Sequence, residues 1–166
     1  MYSENTKTIF RDNDMKLLNL NEGSFPIEMY LNLNYIDVPD VGILKDTLNV
    51  ELKISKFSLN LLKCDGYISA QFIDTCQYCL KETEVPINGS IDVTIKDIKE
   101  LHADSSEQDQ THYQDLEYFN IDNLIEEELA LIYPDIVKCD RKCLAKEDTL
   151  IEEKNLPFKK IRDLID

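Results

Sequence analysis

With 166 residues, 43% of them hydrophobic and 31% charged, the chain is long enough to bury a sizeable core without disulfides and has the composition of a globular protein. Its net charge of −15 excludes broad electrostatic adhesion to nucleic acid, because such a surface repels phosphate, and favours a protein partner carrying basic charge. No apolar run approaches the roughly 18 residues of a membrane span, and residues 1–14 lack the apolar core of a secretory signal. A cytoplasmic protein is therefore expected, in which spaced cysteine pairs serve metal or redox chemistry rather than disulfides.

Residues 1–14 are polar, mixed in charge and read as a flexible tail. One folded unit is expected over 15–166, opening at Met15. Ile27, Met29, Leu31 and Leu33 alternate with polar positions, the pattern of a half-buried strand. Val38-Pro39-Asp40-Val41-Gly42 is a loop. Val50, Leu52 and Ile54 then alternate on even numbers, and Phe57, Leu59 and Leu61 on odd ones, so a bulge or break is expected near Ser55 and Lys56. Asp65-Gly66 predicts a hairpin turned by a type I′ turn, pairing Leu61 with Ala70 and Leu59 with Phe72. Cys64 then sits at the turn end, about 30 Å from the level of Cys76, a poor candidate for a metal site shared with it.

Thr75-Cys76-Gln77-Tyr78-Cys79-Leu80 follows, a Cys-x-x-Cys turn between β-patterned flanks. Val85, Ile87, Ile91, Val93 and Ile95 resume the period of two, with Pro86 and Gly89 marking an edge or bulge. Acidity is concentrated beyond this point: residues 97–135 hold twelve Asp or Glu against the single Lys99. Residues 101–115 have no period and read as a mobile acidic loop, with His102 and His112 as solvent-exposed spacers. Ile121, Leu124, Ile125, Leu129 and Ile132 then fall at helical spacing. Asn120 or Asp122 can cap this helix, Asn123 with Glu126 resembles a capping box, and Pro134 stops it. Glu126, Glu127 and Glu128 form an acidic face, by default solvated and otherwise a docking surface for a basic partner. The C-terminal stretch 156–166 reads as a short helix or an extended anchor. Its Lys159, Lys160 and Arg162 are among the few basic residues that could touch RNA, or they simply pack and solvate.

Chemistry is concentrated in the cysteines. Cys76 and Cys79 on one turn supply two corners of a thiolate tetrahedron, and Cys139 and Cys143 can close it, which would make one structural zinc site stapling the hairpin to the segment after the helix. Lys138, Arg141 and Lys142 would offset the charge of four thiolates. The same residues also read as a buried pair at a turn and an unrelated pair in a loop. A thioredoxin-like redox use of Cys76 and Cys79 needs a helix N-terminus to lower the first thiol's pKa, whereas the flanks here read as strands. No glycine lies in a phosphate-cradling pattern and no nucleophile motif occurs.

Taken in order, these features resemble the YceD-like family of large ribosomal RNA subunit accumulation proteins. Cys76-Gln77-Tyr78-Cys79-Leu80 resembles that family's Cys-x-Arg-Cys-Leu signature, with Tyr78 in place of Arg. Leu62-Lys63-Cys64-Asp65-Gly66 is similar to its preceding strand and glycine turn, and the acidic loop to its variable insert. Residues 121–134 are similar to its helix, and 156–164 to its C-terminal element. No second cysteine block follows Cys143, as it does in fuller cysteine-bearing members. The resemblance covers about residues 15–166. It implies a non-enzymatic role in ribosome biogenesis, supporting synthesis, processing or stability of large-subunit ribosomal RNA, with a ribosomal protein or assembly factor as the basic partner. A small thiol-dependent oxidoreductase using Cys76 and Cys79 is the alternative. The expected fold is α+β: antiparallel strands from about 15 to 96 in a curved sheet or partial barrel, with the helix of the C-terminal half packed on it.

Overall fold

The computed structural model describes residues 17–58, 61–101, 110–139 and 143. The expected N-terminal tail and C-terminal anchor lie outside these residues. The first six described strands are the two-residue β1 (Leu17–Leu18) and β3 (Ile43–Leu44) and the longer amphipathic β2 (Ile27–Leu33), β4 (Leu48–Ser58), β5 (Leu61–Thr75) and β6 (Glu82–Asp97). A 3₁₀ turn (Ile98–Glu100), β7 (Thr111–Gln114), β8 (Phe119–Asn120) and a single described helix, α1 (Ile121–Ile132), complete the described elements. The main sheet runs β2-β4-β5-β6-β7, antiparallel except for the parallel β6–β7 pair, while β3 pairs with the distal part of β5 and β1 pairs with β8. The sheet is open, so the partial barrel is not formed and the coarser α+β expectation stands.

Alternation fixes which face is buried. Leu62, Cys64, Ile68, Ala70 and Phe72 of β5 meet Val85, Ile87, Ile91, Val93 and Ile95 of β6 in one core, and Leu48, Val50, Leu52 and Ile54 extend it through β4. Helix α1 lays Ile121, Leu124, Ile125 and Leu129 on this face. The phase slip in β4 is real: register shifts between Lys56 and Ser58, leaving Phe57 exposed. Pro86 is tolerated within β6 because, among the described residues, β7 pairs only with Thr94 to Asp97, leaving β6 an edge at Pro86 on that side.

The Asp65-Gly66 hairpin is overturned. Both residues lie inside β5, opposite Lys53 and Leu52 on one side and Asp92 and Ile91 on the other. Gly66 does not adopt positive φ. The glycine answers a different demand: a Cβ there would collide with the Glu51 carbonyl oxygen, so the β4–β5 approach admits no side chain. Cys64 is consequently a buried mid-strand core residue, twelve residues before Cys76, which follows the end of β5, and it still takes no part in the cysteine cluster.

Two further expectations change. Of the stretch read as a mobile loop, residues 102–109 (with His102) lie outside the described residues, but Thr111–Gln114 is a strand paired to β6. Of the two expected caps, Asn120 is the one used, its side chain accepting from the Asp122 amide at 3.0 Å, so the expected capping box of Asn123 with Glu126 is not formed.

Candidate metal centre

The β5–β6 hairpin turns at the Cys-x-x-Cys segment itself. Leu80 N donates to the Cys76 carbonyl (2.8 Å) and Cys76 N donates to the Lys81 carbonyl (2.8 Å), with Leu80 in the left-handed region at φ 60°. The long strands thus end in a tight, hydrogen-bonded loop that holds two sulfurs at one end of the sheet.

The second pair arrives by way of the helix terminus. Tyr133 caps α1 through its amide to the Leu129 carbonyl, its ring stacks edge-on against Phe72 at 5.6 Å, and its hydroxyl donates to Asp74 at 2.7 Å. The Gly42 amide donates to the same hydroxyl at 3.1 Å. These contacts aim the chain after Pro134 at the hairpin tip. There Gln77 N donates to the Val137 carbonyl at 3.0 Å, the Gln77 side chain donates to the Asp135 carbonyl at 3.3 Å, and the Lys138 ammonium lies 5.1 Å from the centre of the Tyr78 ring. Arg141 and Lys142, expected to lend further positive charge, lie outside the described residues.

All four expected ligands therefore converge. Cys76 Sγ lies 3.7 Å from Cys143 Sγ, Cys79 Sγ lies 3.6 Å from Cys139 Sγ, and the four sulfurs all fall within 4.8 Å of one another. Metal–thiolate bonds of about 2.3 Å in a tetrahedron place sulfurs about 3.8 Å apart, so the cluster has the dimensions of a four-thiolate coordination sphere and can hold a metal ion. No disulfide links any of the five cysteines.

The electrostatics suit a cation. Hydrogen bonding from the Cys79 amide, supplemented by the amides of Tyr78 and Cys139, lowers the Cys76 thiol to about 6 against the opposing effect of burial. Burial, and then hydrogen bonding to the neighbouring thiols, pushes Cys143 up. Thiols so crowded share protons, and a bound cation would displace them. Cys64, by contrast, is pushed up to about 12 by burial, with Asp65 and Glu128 adding to the shift, and is inert core.

A second polar cluster was not legible in the sequence. His112, expected at the surface, is buried. Its Nδ1 bonds the Glu127 carboxylate, its Nε2 accepts from the Gln114 side chain at 2.9 Å, and its ring lies edge-on to Phe119 at 5.8 Å. Gln114 also accepts from the Asn120 amide, tying β7 to the start of α1. Four residues of strand are too few for periodicity to announce. The expected acidic face is likewise divided: Glu127 is committed to His112, and Glu128 is 3% exposed with its pKa raised by burial and then by Glu127.

Comparison with family models, with curated proteins and with solved structures gives no match to this chain.

Proposed function

We propose that the protein is a non-enzymatic accessory factor in ribosome biogenesis, stapled by one structural zinc ion and supporting synthesis, processing or stability of large-subunit ribosomal RNA through a basic protein partner. The observation that carries the proposal is spatial. The family-like Cys-x-x-Cys-Leu turn and the separate Cys139/Cys143 pair beyond the helix come together at four sulfurs within 4.8 Å. An all-thiolate tetrahedral donor set favours zinc among redox-inactive metals. Cys76, Cys79, Cys139 and Cys143 would hold the ion, whose contribution is to cross-link the hairpin tip to the chain beyond α1. The net charge of −15 supports work through a basic protein rather than by gripping phosphate.

The thiol oxidoreductase reading has one observation in its favour, the lowered pKa of Cys76. Against it, Cys76 is 0% exposed, stands on a strand-to-strand turn rather than at a helix N-terminus, and has Cys143 in direct contact. Redox cysteines need access for an incoming disulfide. Depleting the protein tests the preferred role: large-subunit RNA precursors are expected to accumulate and the ratio of large to small subunits to fall. Unchanged precursors and ratios would overturn it.

A further inference from the structure

Beside the cysteine cluster runs a groove of about 660 Å³, bounded by the 39–41 loop, the hairpin tip and the end of α1. Val41, Leu80 and Val137 give it apolar walls, and Asp40, Asp74 and Asp135 give it negative charge, with no lysine or arginine among its described lining residues. Asp40 and Asp135 are exposed, and Asp74 accepts bonds from the Tyr133 hydroxyl and the Thr75 amide.

Leu80 supplies an independent observation. It is the residue in the left-handed conformation at the tip of the turn, where glycine would be unstrained, and its side chain is 77% exposed. A leucine there is unfavourable twice in the isolated chain, through backbone strain and through apolar surface left in water. Both costs fall on a side chain that lines the groove, and a covering ligand would remove the second.

We infer that this groove docks a partner's peptide segment in which an apolar side chain is flanked by lysine or arginine, the apolar group packing on Leu80 and the half-buried Val41 and the cations facing Asp40, Asp74 and Asp135. The inference rests on the reading that the protein works through a basic partner, and it gives that partner a surface. It differs from the face expected from sequence, since the glutamates of α1 are partly committed inside the molecule.

The test uses the full chain, reduced and supplied with zinc, and a fluorescein-labelled peptide of alternating lysine and leucine, read by fluorescence anisotropy. A peptide of alternating glutamate and leucine is the control. The lysine peptide is expected to bind and the glutamate peptide not. Leu80→Gly changes no charge and relieves the strained backbone, so folding is preserved; it is expected to weaken binding about tenfold, the scale of one lost leucine contact. Asp135→Lys is expected to weaken binding strongly, and the equal charge change Glu117→Lys, outside the groove, hardly at all. No binding by the unaltered chain, full binding by Leu80→Gly, or equal losses in Asp135→Lys and Glu117→Lys would each overturn the inference. None of these results bears on the ribosomal role, which is judged by the depletion experiment.

Discussion

Single side chains account for the approach of elements around the cysteine cluster. At Gly42 an added Cβ would lie 2.6 Å from the Ile73 carbonyl oxygen, 2.8 Å from Asp74 Cβ and 2.8 Å from the Tyr133 hydroxyl, two of them rigidly placed. Gly42→Ala is therefore expected to cost about 2 kcal/mol of unfolding free energy through forced separation of β3 and β5, measured by urea titration. Glu128 makes a pH-dependent prediction. Burial raises its folded pKa above the unfolded value, so in the window between the two the folded state binds more protons. Its contribution is fully present below the unfolded pKa and is lost as pH rises through the folded one. Glu128→Gln is expected to match the parent protein in acid and to exceed it in stability at neutral pH. A stability difference that does not vary between acid and neutral pH would contradict this placement of the carboxyl group.

Among the elements, the long strands, the Cys-x-x-Cys turn between them and the helix were legible, whereas the short strand β7 and the continuation of β5 through Asp65-Gly66 were not. Alternation of Val50, Leu52 and Ile54, and of Val85 through Ile95, identifies faces that are buried as expected, and the helical spacing of Ile121 to Ile132 marks α1. Asp65-Gly66 misled because the dipeptide that satisfies a type I′ turn equally satisfies a crowded mid-strand position. Local sequence does not distinguish positive φ from absence of room for a Cβ. The turn that closes the hairpin is the expected Cys-x-x-Cys segment, where Leu80 adopts the left-handed conformation in place of a glycine. Convergence of the cysteine pairs depends on Tyr133, which joins α1 to β5 and to the 39–42 loop through partners 59 and 91 positions away in sequence. The Tyr133 hydroxyl, pushed up to about 12 by burial and its bond to Asp74, stays a neutral donor. Tyr133→Phe is expected to destabilise by about 2 kcal/mol through the unsatisfied Asp74 carboxylate and Gly42 amide, visible in denaturant unfolding.

For the whole molecule, the cysteine cluster joins the tip of the longest hairpin to the chain emerging from α1, across 60 and 67 residues of sequence. Spacing alone supplied the four ligands but left their meeting open, because the gap is closed by the register of β5 with β6 and by the Tyr133 anchor rather than by any local motif. A metal ion held by the four thiolates would cross-link so long a loop, so chelation is expected to lower stability well beyond a local effect. The most direct test is the zinc content of the full chain purified under reducing conditions, measured beside Cys139→Ser. One zinc per chain is expected for the parent and close to none for the variant, with a lower unfolding midpoint after chelation. Fully reduced protein that carries no zinc and takes up none, or a Cys139→Ser variant that keeps its metal, would contradict the staple.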